Sequence, residues 1–230
     1  MLCILQSRLS SKRFPGKMMK FIKDKTLIEL VVNRLKQSKK ISKIVVATSI
    51  NKTDKKLLSL LKKKKILFFK GSLNNVAARL HSAAKKHNAK KFVRISGDSP
   101  LIDPKLIDRI INFSKKKKFD LVTNTFPKTF PKGQSVEIIN KESLKNILNK
   151  IKIKSEKENV TEYFYKNSKK YKIFNYKSKF DYSNISMTVD YKNDINKMQK
   201  IFKVINGKEN FELIIKKIKK KNYNYLSIKI

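Results

Sequence analysis

"LCILQSRLSSKRFPGK", residues 2–17, begins as a short apolar run and passes directly into a loop that holds Arg8, Arg13 and Lys17 beside Pro15 and Gly16. An apolar strand that feeds a basic turn puts three cations at a strand end. In a wound α/β sheet, ligands bind outside the edge where the parallel strands finish. Bases that converge there suit a polyphosphate: Arg supplies a planar fork, Lys a point charge, and the main chain its amides. Pro15 and Gly16 set the turn and let the backbone approach closely. The loop is not a P-loop, because Ser11 stands where the first Gly of that motif belongs and Met18 where its Ser or Thr belongs.

Working outward, runs rich in Ile, Val and Phe recur at "KIVVAT", "KILFF", "KFVRIS" and "DLVTN", with amphipathic segments between them. That alternation predicts βαβ units around a parallel sheet. Thr26 with Glu29 three residues on is a capping box that opens the first connecting helix, and "SEKE" at 155–158 repeats the signal. Asn74 or Asn75 caps "VAARLHSAAKKH", and Pro104 suits the first turn of "KLIDRIINF". Beyond residue 130 the pattern predicts strands around "SVEII", "KIFNY" and "ISMTV", and helices near 142–150, 156–167, 194–204 and 208–220. No Gly-, Ser- or Pro-rich linker divides the 230 residues, so one domain over 1–230 is expected.

Lys and Arg number 57 against 17 Asp and Glu, a formal charge of +40. Such a balance raises a basic nucleic-acid-binding protein as one reading. Lys, Asn, Ile, Phe and Tyr are encoded by AT-rich codons, while Gly (5), Pro (5) and Trp (0) are scarce, so base composition accounts for much of the excess without any partner. The runs "KQSKK" (36–40), "KKKK" (62–65) and "KKKK" (115–118) each follow a predicted helix, where cations suit the negative end of its dipole. Helix ends lie on the edge where strands begin, so most of this charge is expected to face away from the ligand edge, and no specific nucleic-acid partner is expected. The segment 165–182 interleaves aromatics with lysines and reads either as a nucleic-acid platform or as a half-buried strand. The single Cys, Cys3, excludes an internal disulfide and fits a buried thiol in a reducing cytoplasm. No apolar stretch approaches the roughly 18 residues of a membrane span.

A second constellation is "RISGDSPLIDP", 94–104, in which an apolar strand ends at Asp98. A carboxylate there is a candidate ligand for Mg²⁺, which takes hard oxygen donors and commonly uses one or two carboxylates with phosphate oxygens. The same residue could serve only to cap its turn. "SMTVDYKND", 186–194, offers a partner, Asp190, at the end of another β-branched run.

Taken together, these residues resemble a known family. Arg8, Ser11, Arg13, Pro15, Gly16 and Lys17 match the R-x-x-S-x-R-x-P-G-K signature of the sugar-activating cytidylyltransferases, which include CMP-Kdo synthetase, acylneuraminate cytidylyltransferase and the spore coat polysaccharide biosynthesis protein F group. "GSLNNVAARLHSAA" (71–84), "RISGDSPLIDP", "GQSVEI" (133–138), "ENVTEYFY" (158–165) and "TVDYKND" follow in the order of the spore-coat group. Asn159 and Ser186 stand where that group tends to carry a His and a base, and "DYKND" lacks the Pro of D-x-P-x-D.

The resemblance implies a Rossmann-like nucleotide-diphospho-sugar transferase fold, a mixed and mostly parallel sheet flanked by helices. It implies CTP and a sugar, acidic by analogy, as substrates, Mg²⁺ as cofactor, and a homodimer. By similarity Arg8, Ser11, Arg13 and Lys17 hold the triphosphate, with Arg13 and Lys17 stabilising charge in the reaction. Arg79 lies near the nucleotide, Glu137 shapes the sugar pocket, and Asp98 and Asp190 hold Mg²⁺. A family member that has lost catalysis and serves as a scaffold is the alternative within this resemblance.

Overall fold

Two-residue alternation along the apolar runs sends successive side chains to opposite faces of a sheet, and both faces are covered by helices. The computed structural model describes residues 1–115 and 117–220. In chain order the elements are β1 (Leu2–Gln6), β2 (Phe21–Ile22), β3 (Lys25–Thr26), α1 (Leu27–Leu35), β4 (Lys43–Ser49), α2 (Lys55–Lys63), β5 (Phe68–Gly71), α3 (Val76–Lys86), β6 (Lys91–Ser96) and α4 (Pro104–Lys115). They continue with β7 (Leu121–Thr123), β8 (Glu137–Asn140), α5 (Lys141–Leu148), α6 (Lys154–Glu158), α7 (Glu162–Lys166), β9 (Ile173–Asn175), α8 (Asn193–Val204) and α9 (Phe211–Lys220).

Seven strands form one sheet in the order β5-β4-β1-β6-β8-β7-β9, and β2 pairs with β3 in a small hairpin beside it. β1, β4, β5 and β6 run parallel, β8 runs antiparallel to both β6 and β7, and β9 pairs parallel with β7. The chain leaves β1 toward β4 and β5, then returns to place β6 on the other side of β1. That reversal is a topological switch point, where the connections after β1 and β6 diverge and open a crevice.

The alternation shows in the core. Cys3 and Leu5 of β1 pack with α1, α2, α4, α8 and α9, whereas Leu2 and Ile4 pack with α3 and α5. On α1, Leu27, Ile28, Val31 and Leu35 lose all solvent exposure, each contributing about 1.5–3 kcal/mol of transfer free energy. The capping box forms as expected, with the Thr26 amide donating to Glu29 Oε2 at 3.0 Å. Asn75 caps α3 by accepting from the Ala78 amide at 2.9 Å, and α4 opens on Pro104. Among the described residues, no helix is long and apolar enough to cross a membrane.

Three local expectations are corrected. "KILFF" starts its strand at Phe68 rather than Lys65, because Lys65 takes a left-handed conformation and the Ile66 amide closes back on the Leu61 carbonyl to terminate α2. The helix expected over 156–167 is two short helices, α6 and α7, broken at Asn159, and Ser155 lies inside α6 rather than capping it. "ISMTV" is not a sheet strand. It runs extended between two loops, the Met187 amide donating to the Lys132 carbonyl and the Val189 amide to the Asp98 carbonyl. The second bond ties the distant Asp190 to the end of β6, and the first ties the same segment to the loop between β7 and β8.

The described residues of the lysine runs lie where the dipole argument puts them, in or just after the last turns of α1, α2 and α4, at the strand-start edge, and Lys116 lies outside the described residues. Lys62 to Lys65 are exposed, and Lys64 reaches Glu29 at 2.8 Å. Within 165–182, β9 is a half-buried edge strand with Phe174 under the Lys117 ammonium, and Tyr171 before it packs edge-on against Tyr163 and Phe164, the half-buried alternative of the two.

Candidate active site

The loop after β1 is built to hold a fixed shape. Leu9, Phe14 and Met18 are buried and anchor it to the core. Gly16 adopts φ 71°, a left-handed conformation that favours glycine, and its amide closes the loop on the Leu9 carbonyl at 2.8 Å. Ser11 accepts weakly from the Phe14 amide at 3.4 Å. Sequence reasoning missed a further anchor, Asp54. This fully buried carboxylate accepts from the Leu9 amide (2.7 Å), Thr48 Oγ1 (2.8 Å), Ser49 Oγ (2.5 Å) and the Ser49 amide (3.0 Å), joining the end of β4 to the basic loop.

Opposite that loop, Gly97 follows β6 and donates its amide to the Gln6 carbonyl at 2.9 Å. A Cβ at this position would lie 3.0 Å from that oxygen and 3.1 Å from Met18 Sδ, so glycine lets the two strand ends meet. Asp98 therefore faces the basic loop across the crevice. Between the two loops lies a cleft of about 390 Å³, lined by Arg8, Ser11, Arg13, Lys17, Asp98 and further groups.

Lys17 joins the two halves. Its ammonium is almost fully buried and donates to the Val189 carbonyl at 2.7 Å and to Asp98 Oδ2 at 3.2 Å, with Asp190 Oδ1 at 3.7 Å. Arg13 donates to the same Asp190 oxygen at 2.6 Å, and its guanidinium lies over the ring of Tyr191. Asp190 is aimed by the turn that follows it, where Asp194 accepts the amides of Asp190 and Tyr191, both at 2.8 Å. Ser186 carries no charge, but Lys132, its partner across an isolated bridge, sets its own ammonium 2.5 Å from Asp190 Oδ2. No local signal marked Lys132, because the bridge that places it joins segments more than fifty residues apart.

These contacts set the electrostatics. Burial pushes the Asp190 carboxyl up, but the Lys132 hydrogen bond and the charges of Lys132, Lys17 and Arg13 outweigh it and hold the group below its ordinary value of 3.8. Asp190 is an anion at neutral pH. Two carboxylates thus converge on one cation position, marked by the Lys17 ammonium. Among the described residues, no group of three or more His, Cys, Asp or Glu gathers around a point. Asp98 lines the basic cleft, whereas Asp190 is buried beside Lys17 and does not line it; two hard oxygen donors on one cation position fit Mg²⁺, which completes its shell with phosphate oxygens and water.

The remaining expected residues are placed differently. Arg8 lines the cleft, 3.8 Å from Glu158, and donates weakly to the Leu73 carbonyl at 3.4 Å. Arg79 is buried behind it and does not line the cleft. It donates to the Ser72 carbonyl at 2.5 Å, while its Nε and second terminal nitrogen have no partner among the described residues. Burial, with Arg8 adding to it and Asp54 opposing, lowers the Arg79 pKa to about 10, so it stays cationic and strengthens the positive field behind Arg8. Glu137, expected to shape the sugar pocket, is also absent from the cleft wall. Its carboxylate is consumed by an ion pair with Arg94 and by hydrogen bonds from Thr161 Oγ1 and Tyr165 Oη, each 2.7 Å.

With this geometry in place, comparison with known proteins gives a consistent result. A family model described as cytidylyltransferase matches residues 2–230. The Methanocaldococcus jannaschii protein MJ1063 is 34% identical over 209 residues, 88% of this chain and 84% of that one. The spore coat polysaccharide biosynthesis protein SpsF of Bacillus subtilis is 30% identical over 145 residues, and that match spans 60% of this chain and 58% of SpsF. The solved structure of a cytidylyltransferase from Leptospira borgpetersenii superposes with a TM-score of 0.92 at 30% identity, covering 100% of this chain and 98% of that one. A mixed, mostly parallel sheet with a switch-point cleft, a basic loop after β1 and full-length agreement with that family lead to one conclusion: this chain belongs to the cytidylyltransferase family.

Proposed function

We propose that the protein transfers CMP from CTP to a sugar with release of pyrophosphate, using Mg²⁺ held by Asp98 and Asp190. The observation that carries this reading is the convergence of Lys17 on both carboxylates, with Arg13 on the second, at the switch-point crevice. A sugar hydroxyl attacks the α-phosphorus, the new bond forms between that oxygen and phosphorus, and the bond to the bridging oxygen of the β-phosphate breaks. The hydroxyl proton leaves to solvent, and pyrophosphate carries away the electron pair. No protein nucleophile is required, so catalysis consists of positioning and of stabilising charge on the departing oxygens.

Bound between Asp98 and Asp190, Mg²⁺ would screen the phosphate charges and polarise the α-phosphoryl group. With the two carboxylates engaged by the metal, the Lys17 ammonium would be free to turn to the triphosphate. Arg13, more exposed and held at Asp190 and over the Tyr191 ring, would follow. Arg8 and Ser11 line the cleft and bind phosphate oxygens directly, whereas Arg79 acts from behind as a fixed positive charge. SpsF, by its name a spore coat polysaccharide protein, supports a sugar as the acceptor.

The experiment is a pyrophosphate-release screen of four nucleoside triphosphates against acidic and neutral sugars, with and without Mg²⁺. Release that requires CTP, one sugar class and Mg²⁺ supports the reading. CTP binding without release for any sugar would instead favour a catalytically silent family member.

A further inference from the structure

Gln6, the last residue of β1, lines the cleft and was not among the expected binding residues. Its side-chain oxygen accepts from Arg94 Nε at 2.9 Å. A guanidinium has donors only, so the amide atom facing it must be the oxygen, and the orientation of the amide is fixed by chemistry. The Gln6 Nε2 group has no protein acceptor among the described residues. Arg94 is itself held by the Glu137 ion pair, and Glu137 by Thr161 and Tyr165. Burial, reinforced by the Glu137 carboxylate, raises the Tyr165 phenol, so it remains a donor.

We propose that Glu137, Arg94 and Gln6 form a relay that presents the Gln6 amide as a hydrogen-bond donor to an acceptor oxygen of the sugar. This rests on the nucleotidyl-transfer reading above. The donor chemistry assigns the amide to the sugar: the cations Arg8, Arg13 and Lys17 of the same cleft suit phosphate oxygens, whereas a neutral amide donor suits a sugar oxygen, and the base is the acceptor that the test below separates from it. Arg8 spans the cleft, reaching the Leu73 carbonyl after β5 and Glu158 beside Asn159. Glu137 is thus a positioning residue, which explains how a residue outside the cleft can influence the sugar site.

The test uses the full chain with Gln6→Glu, which keeps an acceptor for Arg94 and removes the donor. The expected result is a rise of about tenfold in KM for the sugar that supports turnover, the scale of one lost hydrogen bond in a site, and larger than the rise in KM for CTP that the new carboxylate brings by charge alone. An unchanged sugar KM, or a rise in CTP KM in its place, overturns the proposal. Glu137→Gln risks the fold, so Thr161→Val supplies the milder cut, with a smaller rise in sugar KM alone. A second readout needs no turnover. The chain has four glutamines, Gln6, Gln37, Gln134 and Gln199, so selective ¹⁵N-glutamine labelling yields a short side-chain amide spectrum in which Gln6 is the signal lost in Gln6→Glu. That signal shifts in Thr161→Val if the relay holds the amide, and an unmoved signal overturns the relay. Wild-type protein that turns over no sugar defeats the transfer reading, and the sugar contact with it, while the amide spectrum still decides the relay.

Discussion

The two edges of the sheet carry positive charge in opposite ways. At the strand-start edge, Lys62 to Lys65 project into solvent, and Lys64 makes one partly exposed pair with Glu29. At the strand-end edge, Lys17 is buried, bonded to a carbonyl and poised between two carboxylates. In a chain of charge +40, the number of cations says little about function. What distinguishes the second edge is that folding free energy holds its cations in place, since an amine withdrawn from water must be fully partnered.

The sharpest way to break this contrast is Lys17→Ala. Loss of a charge-stabilising donor lowers turnover by about a hundredfold or more, read as pyrophosphate release per second. An unchanged rate would make Lys17 only a bridge between loops. Next, Asp98→Asn raises the Mg²⁺ concentration for half-maximal rate by about tenfold or more while the melting temperature holds, because the amide is a poorer ligand of similar shape. A collapsed fold would assign Asp98 to capping its turn. Asp54→Asn sharpens the comparison from behind the site. Its amide cannot accept all the donors now pointed at Asp54, so the chain loses about 1–3 kcal/mol of stability in a urea titration and binds CTP more weakly as the basic loop loosens.

Acid offers a further cut. The folded pKa of Asp190 lies below its ordinary 3.8, so its contribution to stability is complete above that value and is lost as pH falls through the depressed folded value. Asp190→Asn should flatten this acid limb of a melting-temperature profile, and a limb unchanged by the substitution would place the sensitivity elsewhere. The smallest effect belongs to the other edge. Replacing Lys62 to Lys65 with Gln leaves kcat/KM for CTP within about twofold at physiological ionic strength, because exposed charges beyond a Debye length of about 8 Å are screened.

Much of this was legible in the sequence because it is local. The five apolar runs, the Thr26 capping box and the Asn75 cap depend on residues within a few positions of one another. The basic loop was legible by its place after a strand. The meeting of the basic loop with Asp190, where Arg13 pairs across 177 residues, was expected only through the family resemblance, and what escaped notice is a contact of the same long-range kind, Lys132 meeting Asp190 across 58 residues. "ISMTV" has strand composition, but its amides pair with the Lys132 and Asp98 carbonyls instead of a sheet neighbour, and no periodicity encodes that choice. The α6–α7 break has a similar origin. Glu162 accepts from both Ser155 and Asn159, and this side-chain competition with the helix sets Asn159 against the cleft. Asp54 looked like one more polar residue after β4. Only burial shows that its carboxylate holds the loop that gave the chain its signature.

The most direct test is a crystal structure of the protein soaked with CTP and Mn²⁺, whose anomalous signal locates the metal. The account predicts one peak within about 2.2 Å of oxygens from both Asp98 and Asp190, with Lys17 and Arg13 turned onto the triphosphate. A nucleotide bound outside the crevice after β1 and β6, or a metal touching neither aspartate, would contradict it.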